Sequence, residues 1–352
     1  MLQSWFRFLG IATLALCLSA AVSRADTLPL GPGLGLANPQ PLIVAGASSG
    51  TPADSPSLRV DANTTTSPFA GVVSVEVHGT SGTYLGSGTF ISSTQILTAG
   101  HMIDLNNNGT IAVAPGSVSV HVNYGTNNSQ VLTASALHLN PAFQGFNNSI
   151  FGDLAIITLS APAAAGVPIY SLYTQPMPQY STLDLVGYGK SAYGTETSYT
   201  VGASFNVKRH GQNAADGLLS AAAGDPSGVF YFDFDSPTGT VPNYVGGTSL
   251  GNNLETQLGP GDSGGPAFLN LGGTYYQAGV DTFTTQFVYT DPFGNIVGIG
   301  ENAPSFGSAG GGILLYPYLP WISQVTGLVL PEPASVSLLA LGAMMLVFRP
   351  RR

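Results

Sequence analysis

The strongest constraint on the fold is a period-two alternation that recurs along the chain while long helical periodicity is absent. Val73, Val75 and Val77 alternate with Ser74, Glu76 and His78; Val118, Val120, Val122 and Tyr124 repeat the pattern opposite Ser119, His121 and Asn123. Phe230, Phe232 and Phe234 do so again, opposite Tyr231, Asp233 and Asp235. Side chains alternate across a strand, so each run describes a half-buried β-strand. Only Tyr316 to Val325 has helical spacing, with Tyr318, Leu319, Ile322 and Val325 on one face. With 46 Gly and 25 Pro to supply turns, the reading is all-β and mostly antiparallel, over residues 60–327. That length suits two packed antiparallel β-barrels followed by a short C-terminal helix.

Charge narrows the function. Charged residues make up 8% of the chain, against about 25% in an ordinary globular protein. Five of the nine basic residues, Arg7, Arg24, Arg349, Arg351 and Arg352, lie at the ends. Residues 60–327 keep three basic residues, Lys190, Lys208 and Arg209, against 15 acidic ones, a net charge of −12. A nucleic-acid partner is excluded, because such a surface has too few cations to neutralise phosphates. With 44% hydrophobic residues, disorder is excluded as well.

The two ends read as addresses. Arg7, the apolar stretch Phe8 to Leu18 and the small residues Ser23 and Ala25 form a secretory signal over 1–25, to be cut by a signal peptidase. The single Cys17 leaves with it, so the exported protein relies on its apolar core instead of disulfides. Residues 26–59 read as a linker or propeptide. At the other end Pro331-Glu332-Pro333, the apolar run Ala334 to Phe348 and the Arg cluster describe a short membrane segment with a positive stop. The tail, 331–352, resembles the PEP-CTERM sorting signal of Gram-negative bacteria. That resemblance implies processing by an exosortase, and a location in the cell envelope, at the cell surface or outside the cell.

Three segments carry the chemistry: Gly86-Ser87-Gly88 leading to Thr98-Ala99-Gly100-His101; Asp153-Leu154-Ala155-Ile156-Ile157; and Gly259-Pro260-Gly261-Asp262-Ser263-Gly264-Gly265-Pro266. Their residues and order resemble the trypsin/chymotrypsin-like serine proteases. Gly187-Tyr188-Gly189, Ala278-Gly279-Val280 and Tyr318 with Trp321-Ile322 extend the likeness across 60–327. The resemblance implies a serine endopeptidase in which His101 is general base, Asp153 fixes its tautomer and Ser263 is the nucleophile. It further implies that the N–H groups of Gly261 and Ser263 form the oxyanion hole. A binding protein without activity on the same fold, and a serine esterase, are the alternatives.

Departures from the family set further expectations. Gly100 replaces the commoner Ala before the histidine. Gln257 stands where trypsin-type enzymes carry the Asp that binds Arg or Lys, so no strong Arg/Lys preference is expected. Thr282-Phe283-Thr284 stands for Ser-Trp-Gly in the substrate pocket. Asp262 occupies the place of the acid that pairs with a newly cut N-terminus. Arg59-Val60 is the candidate cut, although Val-Gly-Gly does not follow it. No cofactor is required by this chemistry. His-x-x-x-His and paired cysteines are missing, which argues against a catalytic zinc. Asp104, Asn106 and Asn108 copy the opening of a calcium loop, but its twelfth position is Pro115, so a solvated turn is the preferred reading over calcium.

Overall fold

The computed structural model of the protein describes residues 28–31, 34–36, 43–146, 148–239, 247–290, 296–299 and 301–330. The signal-peptide and tail readings lie outside these residues. Among the described residues no helix is long and apolar enough to cross a membrane.

The first half is a closed antiparallel barrel of six strands: β1 (Val72–Gly79), β2 (Gly82–Ser92), β3 (Gln95–Thr98), β4 (Val118–Val122), β5 (Gln130–Leu139) and β6 (Ala155–Leu159). They follow one another around the barrel as β1-β2-β3-β6-β5-β4. The alternation places Val73, Val75, Val77, Val118, Val120 and Val122 in its core. Val72 and Ser74 are buried too, on the other face of β1, because the second half covers that end of the strand. Ser74 Oγ donates to Phe205 O at 2.9 Å, and Val72 packs with Leu85, Val186, Tyr188 and Phe268 between the halves.

The second half contains β7 (Thr182–Gly187), β8 (Lys208–Ala214), β9 (Gly217–Ser220), β10 (Ser227–Asp233), β11 (Pro266–Leu271), β12 (Thr274–Thr285) and β13 (Ala309–Leu314). They pair in the order β9-β10-β13-β12-β11-β7-β8, with Val60–Asp61 beyond β8 and Ser171–Leu172 parallel to β12, a nine-stranded sheet. Among the described residues no ladder joins β8 to β10; a side chain bridges that seam. Asn213 Nδ2 donates to Asp233 O at 3.0 Å and to Thr256 O at 2.8 Å. Phe230, Phe232 and Phe234 are buried as the alternation predicts, but so is Asp233, because it sits at the seam and not on a solvated face.

A single turn at Tyr316–Tyr318 leads into α1 (Leu319–Thr326). Leu319 and Ile322 bury its inner face in the core of the first barrel, so the last helix among the described residues returns to the first half.

The packed domain begins before residue 60. Ile43, Val44 and Ala45 are fully buried. The Asp54 carboxylate accepts Gly46 N–H at 2.7 Å and Arg59 Nε–H at 2.8 Å, and the Arg59 guanidinium donates to Leu254 O and Glu255 O. Residues 43–59 are thus an integral edge of the second half.

Candidate active site

His101 sits on the single 3-10 turn Gly100–Met102 that follows β3, and Asp153 lies one residue, Leu154, ahead of β6, the neighbour of β3 in the barrel. Asp153 is fully buried and holds His101 twice: Oδ2 lies 2.7 Å from Nδ1, and Oδ1 accepts the His101 backbone N–H at 2.7 Å. A carboxylate at Nδ1 keeps the proton there and leaves Nε2 as the basic nitrogen. Gly100 has a geometric reason. A Cβ there would lie 3.0 Å from Asp153 Oδ1 and 2.9 Å from Leu139 Cδ1, crowding the carboxylate that grips the next residue. Phe146 leans on the imidazole at 5.2 Å between ring centroids and meets Phe143 edge-on.

The Gly259–Pro266 loop is fastened to the first barrel through Ser87. Ser87 N–H donates to Ser263 O, Ser87 Oγ donates to Gly261 O, and Thr98 Oγ1 donates to Ser87 O, each at 2.8 Å. Tyr188 N–H donates to Ser87 Oγ at 3.0 Å. Gly264 adopts φ +86°, and a Cβ on it would fall 2.0 Å from Thr98 Oγ1 and 3.0 Å from Ala99 N. Only glycine permits this approach. The loop therefore presses on Thr98-Ala99, two residues before His101. Ser263 is fully enclosed, and its Oγ has no hydrogen-bond partner among the described residues, so the Oγ–Nε2 bond is not formed.

Asp262 is buried beneath this loop. Its Oδ1 accepts Gly189 N–H at 3.1 Å, the Ile43 N–H and the Arg209 charge lie close enough to favour its ionised form, and Oδ2 has no hydrogen-bond partner among the described residues. Burial nevertheless pushes its pKa well above the ordinary carboxylate range. The residue at Asp262 is therefore Ile43, whereas Val60 is exposed and pairs with Arg209 in the sheet. Sequence reasoning missed Ile43. The available signal was Val44-Ala45-Gly46, one substitution from Val-Gly-Gly.

Gln257 is fully buried and its amide is spent: Nε2 donates to Ser308 O and Oγ at 3.1 and 2.9 Å, and Oε1 accepts Leu258 N–H at 2.7 Å. Thr282 and Phe283 are buried in β12 and Thr284 is half-buried. Beside them lies Asp281, which sequence reasoning passed over. Its N–H donates to Gly265 O and its carbonyl accepts Gly264 N–H, both at 2.8 Å. Burial, with the Asp262 charge adding to it, pushes its carboxyl pKa well above the usual range. The Asp104 carboxylate accepts the N–H groups of Asn108 at 3.0 Å and Gly109 at 2.7 Å, while Asn106 and Asn108 are exposed, so this segment is a turn built on Asp104.

A β-barrel carrying a His–carboxylate pair, packed against a second β-sheet that delivers a glycine-flanked serine, defines the class of serine proteases built from two β-modules. The trypsin-like peptidase domain matches residues 86–274, more than half of the chain and a span that includes His101, Asp153 and Ser263. The chain belongs to this family and is a serine-type protease. No curated protein matches it.

Proposed function

We propose that the protein is an exported serine endopeptidase working through His101, Asp153 and Ser263. The observation that supports this best is the double hydrogen bond from Asp153 to His101, beside a loop that Ser87 ties to the same strand end. Ser263 Oγ attacks the peptide carbonyl while His101 Nε2 takes its proton, and Asp153 stabilises the imidazolium that results. The N–H groups of Gly261 and Ser263 receive the oxyanion. His101 then gives the proton to the leaving amine. Water, deprotonated by His101, hydrolyses the acyl-enzyme and restores the Ser263 hydroxyl.

The enclosed, unpartnered Ser263 Oγ fits a chain that is not yet processed. The geometry at Asp262 supports cleavage before Ile43, whose new ammonium would be the counter-charge to that buried carboxylate. The terminal segments support delivery through signal peptidase and an exosortase, with the tail in the membrane before sorting.

A fluorophosphonate probe tests the reading. Labelling of the purified protein that disappears in Ser263→Ala supports it, and labelling that persists in the variant or never occurs overturns it. Digestion of a peptide library, compared with turnover of simple esters, separates endopeptidase from esterase.

A further inference from the structure

The turn Asp104-Leu105-Asn106-Asn107-Asn108-Gly109 has no work in the mechanism above, yet it begins three residues after His101. Asp104 N–H donates to Gly100 O at 3.0 Å, so the turn grows directly out of the 3-10 turn that carries His101. The buried Asp104 carboxylate gathers the Asn108 and Gly109 N–H groups, and Asn107 N–H donates to Asp104 O at 3.0 Å. Asn107 is thereby held at φ +54°, a left-handed conformation that asparagine tolerates better than most residues. Its Oδ1 accepts the backbone N–H of Phe146, in the loop that leads to Asp153. Two glycines let the two loops interlock. A Cβ on Gly145, which has φ +81°, would run into Asn107 O, and one on Gly109 would lie 3.0 Å from Phe143 O.

Phe146 carries the contact on to the imidazole. Its ring lies 5.2 Å from that of His101, inclined by 45°, and 5.6 Å from the buried Phe143 ring that backs it edge-on. The Asp153 bond fixes the position of Nδ1 but leaves the imidazole free to tilt about the line from Nδ1 to Oδ2. Tilting swings Nε2, the atom that must meet Ser263 Oγ. A ring packed on the imidazole opposes that swing. Only 12% of the His101 side chain is exposed, so water has little access to its bond with Asp153. We propose that Asn107 is a positioning residue of the protease: by holding the Phe146 backbone, it seats the Phe146 ring on His101 and sets the direction of Nε2. The contacts close a circuit, from His101 through Asp104 and Asn107 to Phe146 and back to His101. This rests on His101 and Ser263 acting as base and nucleophile.

The test uses the processed protein, expressed as the full chain, and a small fluorophosphonate that reports the reactivity of Ser263 without filling a peptide cleft. Asn107→Gly permits the left-handed backbone but removes the acceptor, whereas Asn107→Asp keeps an acceptor in place. The labelling rate is expected to fall about tenfold in Asn107→Gly and to stay within about twofold of wild type in Asn107→Asp. On a peptide substrate, kcat is expected to fall by the same factor while KM stays within about twofold. Phe146→Ala is itself expected to label about tenfold more slowly, and Asn107→Gly added to it should bring no further loss. Normal labelling of Asn107→Gly overturns the proposal, as does an equal loss in Asn107→Asp or a full second loss in the Phe146→Ala background. Slower peptide turnover with normal labelling also overturns it, because Phe146 would then be a wall for substrate and not a support for His101. If Asn107→Gly does not fold, Phe146→Ala decides: slow labelling supports the route to His101, and normal labelling removes it. Failure of wild type to label at Ser263 is a different result, since it removes the nucleophile reading on which this one stands.

Discussion

Asp153 binds His101 through both of its carboxylate oxygens, one to the ring and one to the backbone, at 2.7 Å each. The backbone bond fixes where the residue sits, and the ring bond fixes which nitrogen carries the proton. Asp153→Asn keeps an acceptor for the backbone N–H but can present an N–H to Nδ1, which favours the wrong tautomer. Peptidase kcat is expected to fall about 10⁴-fold. Steady-state kinetics, with the unfolding midpoint as a control for folding, check this; a loss below tenfold would contradict the role given to Asp153.

Ser87 joins the halves of the site. Its hydroxyl donates to Gly261 O and accepts Tyr188 N–H in a fully buried position, so Ser87→Ala strands a carbonyl and an amide together. A loss of about 1–3 kcal/mol in stability is expected. Because Gly261 is a proposed oxyanion donor, kcat is expected to drop more than KM changes. Urea unfolding and kinetics on the same preparation measure both; an effect on stability alone would leave Ser87 as a fastening with no part in positioning the loop.

Asp262 makes a prediction about maturation. Its carboxyl is buried against the Ile43 N–H, so the active protein is expected to begin Ile43-Val44-Ala45-Gly46. Removing one partner of a buried ion pair costs about 3–5 kcal/mol, so Asp262→Asn is expected to leave a correctly trimmed protein with little activity. Mass spectrometry of the labelled, active species reads the terminus directly. An active species starting at Val60, or retaining residues before Ile43, would remove this account.

What was legible in the sequence follows from what is local. Alternating valines and phenylalanines report strands because period two is a property of the strand itself. The surroundings of Asp153 announce a buried carboxylate because an apolar run follows it. The misreadings concern which surface gets covered. Ser74 and Asp233 look solvated from their neighbours in sequence, but the second half and the seam at Asn213 bury them. Gln257 was placed by counting back from Ser263, and counting does not reveal that Ser308 occupies its amide. Ile43 meets a loop far away in the chain, marked only by Val44-Ala45-Gly46 beside it, and Asp281 meets the same loop through backbone bonds to Gly264 and Gly265 that nothing in its immediate neighbours marks.

Two buried carboxyls outside the site contribute to the pH dependence of stability. Glu255 is raised to about 7 by burial, despite accepting hydrogen bonds from Ser249 Oγ and the Leu250 and Asp235 N–H groups. Asp216 is raised first by burial and then by the neighbouring Asp233, whose N–H donates to Asp216 Oδ2 at 3.3 Å. A carboxyl whose pKa is higher in the folded than in the unfolded chain binds its proton more tightly when folded. Its contribution is fully present below the unfolded value, about 4, and is lost as pH rises through the folded value. Stability is therefore expected to decline between pH 5 and pH 8, by about 2 kcal/mol from Glu255 alone. Glu255→Gln and Asp216→Asn should each flatten the decline, the double variant most. Urea unfolding across that range measures the slope; a wild-type stability that holds constant or rises toward pH 8 would contradict it.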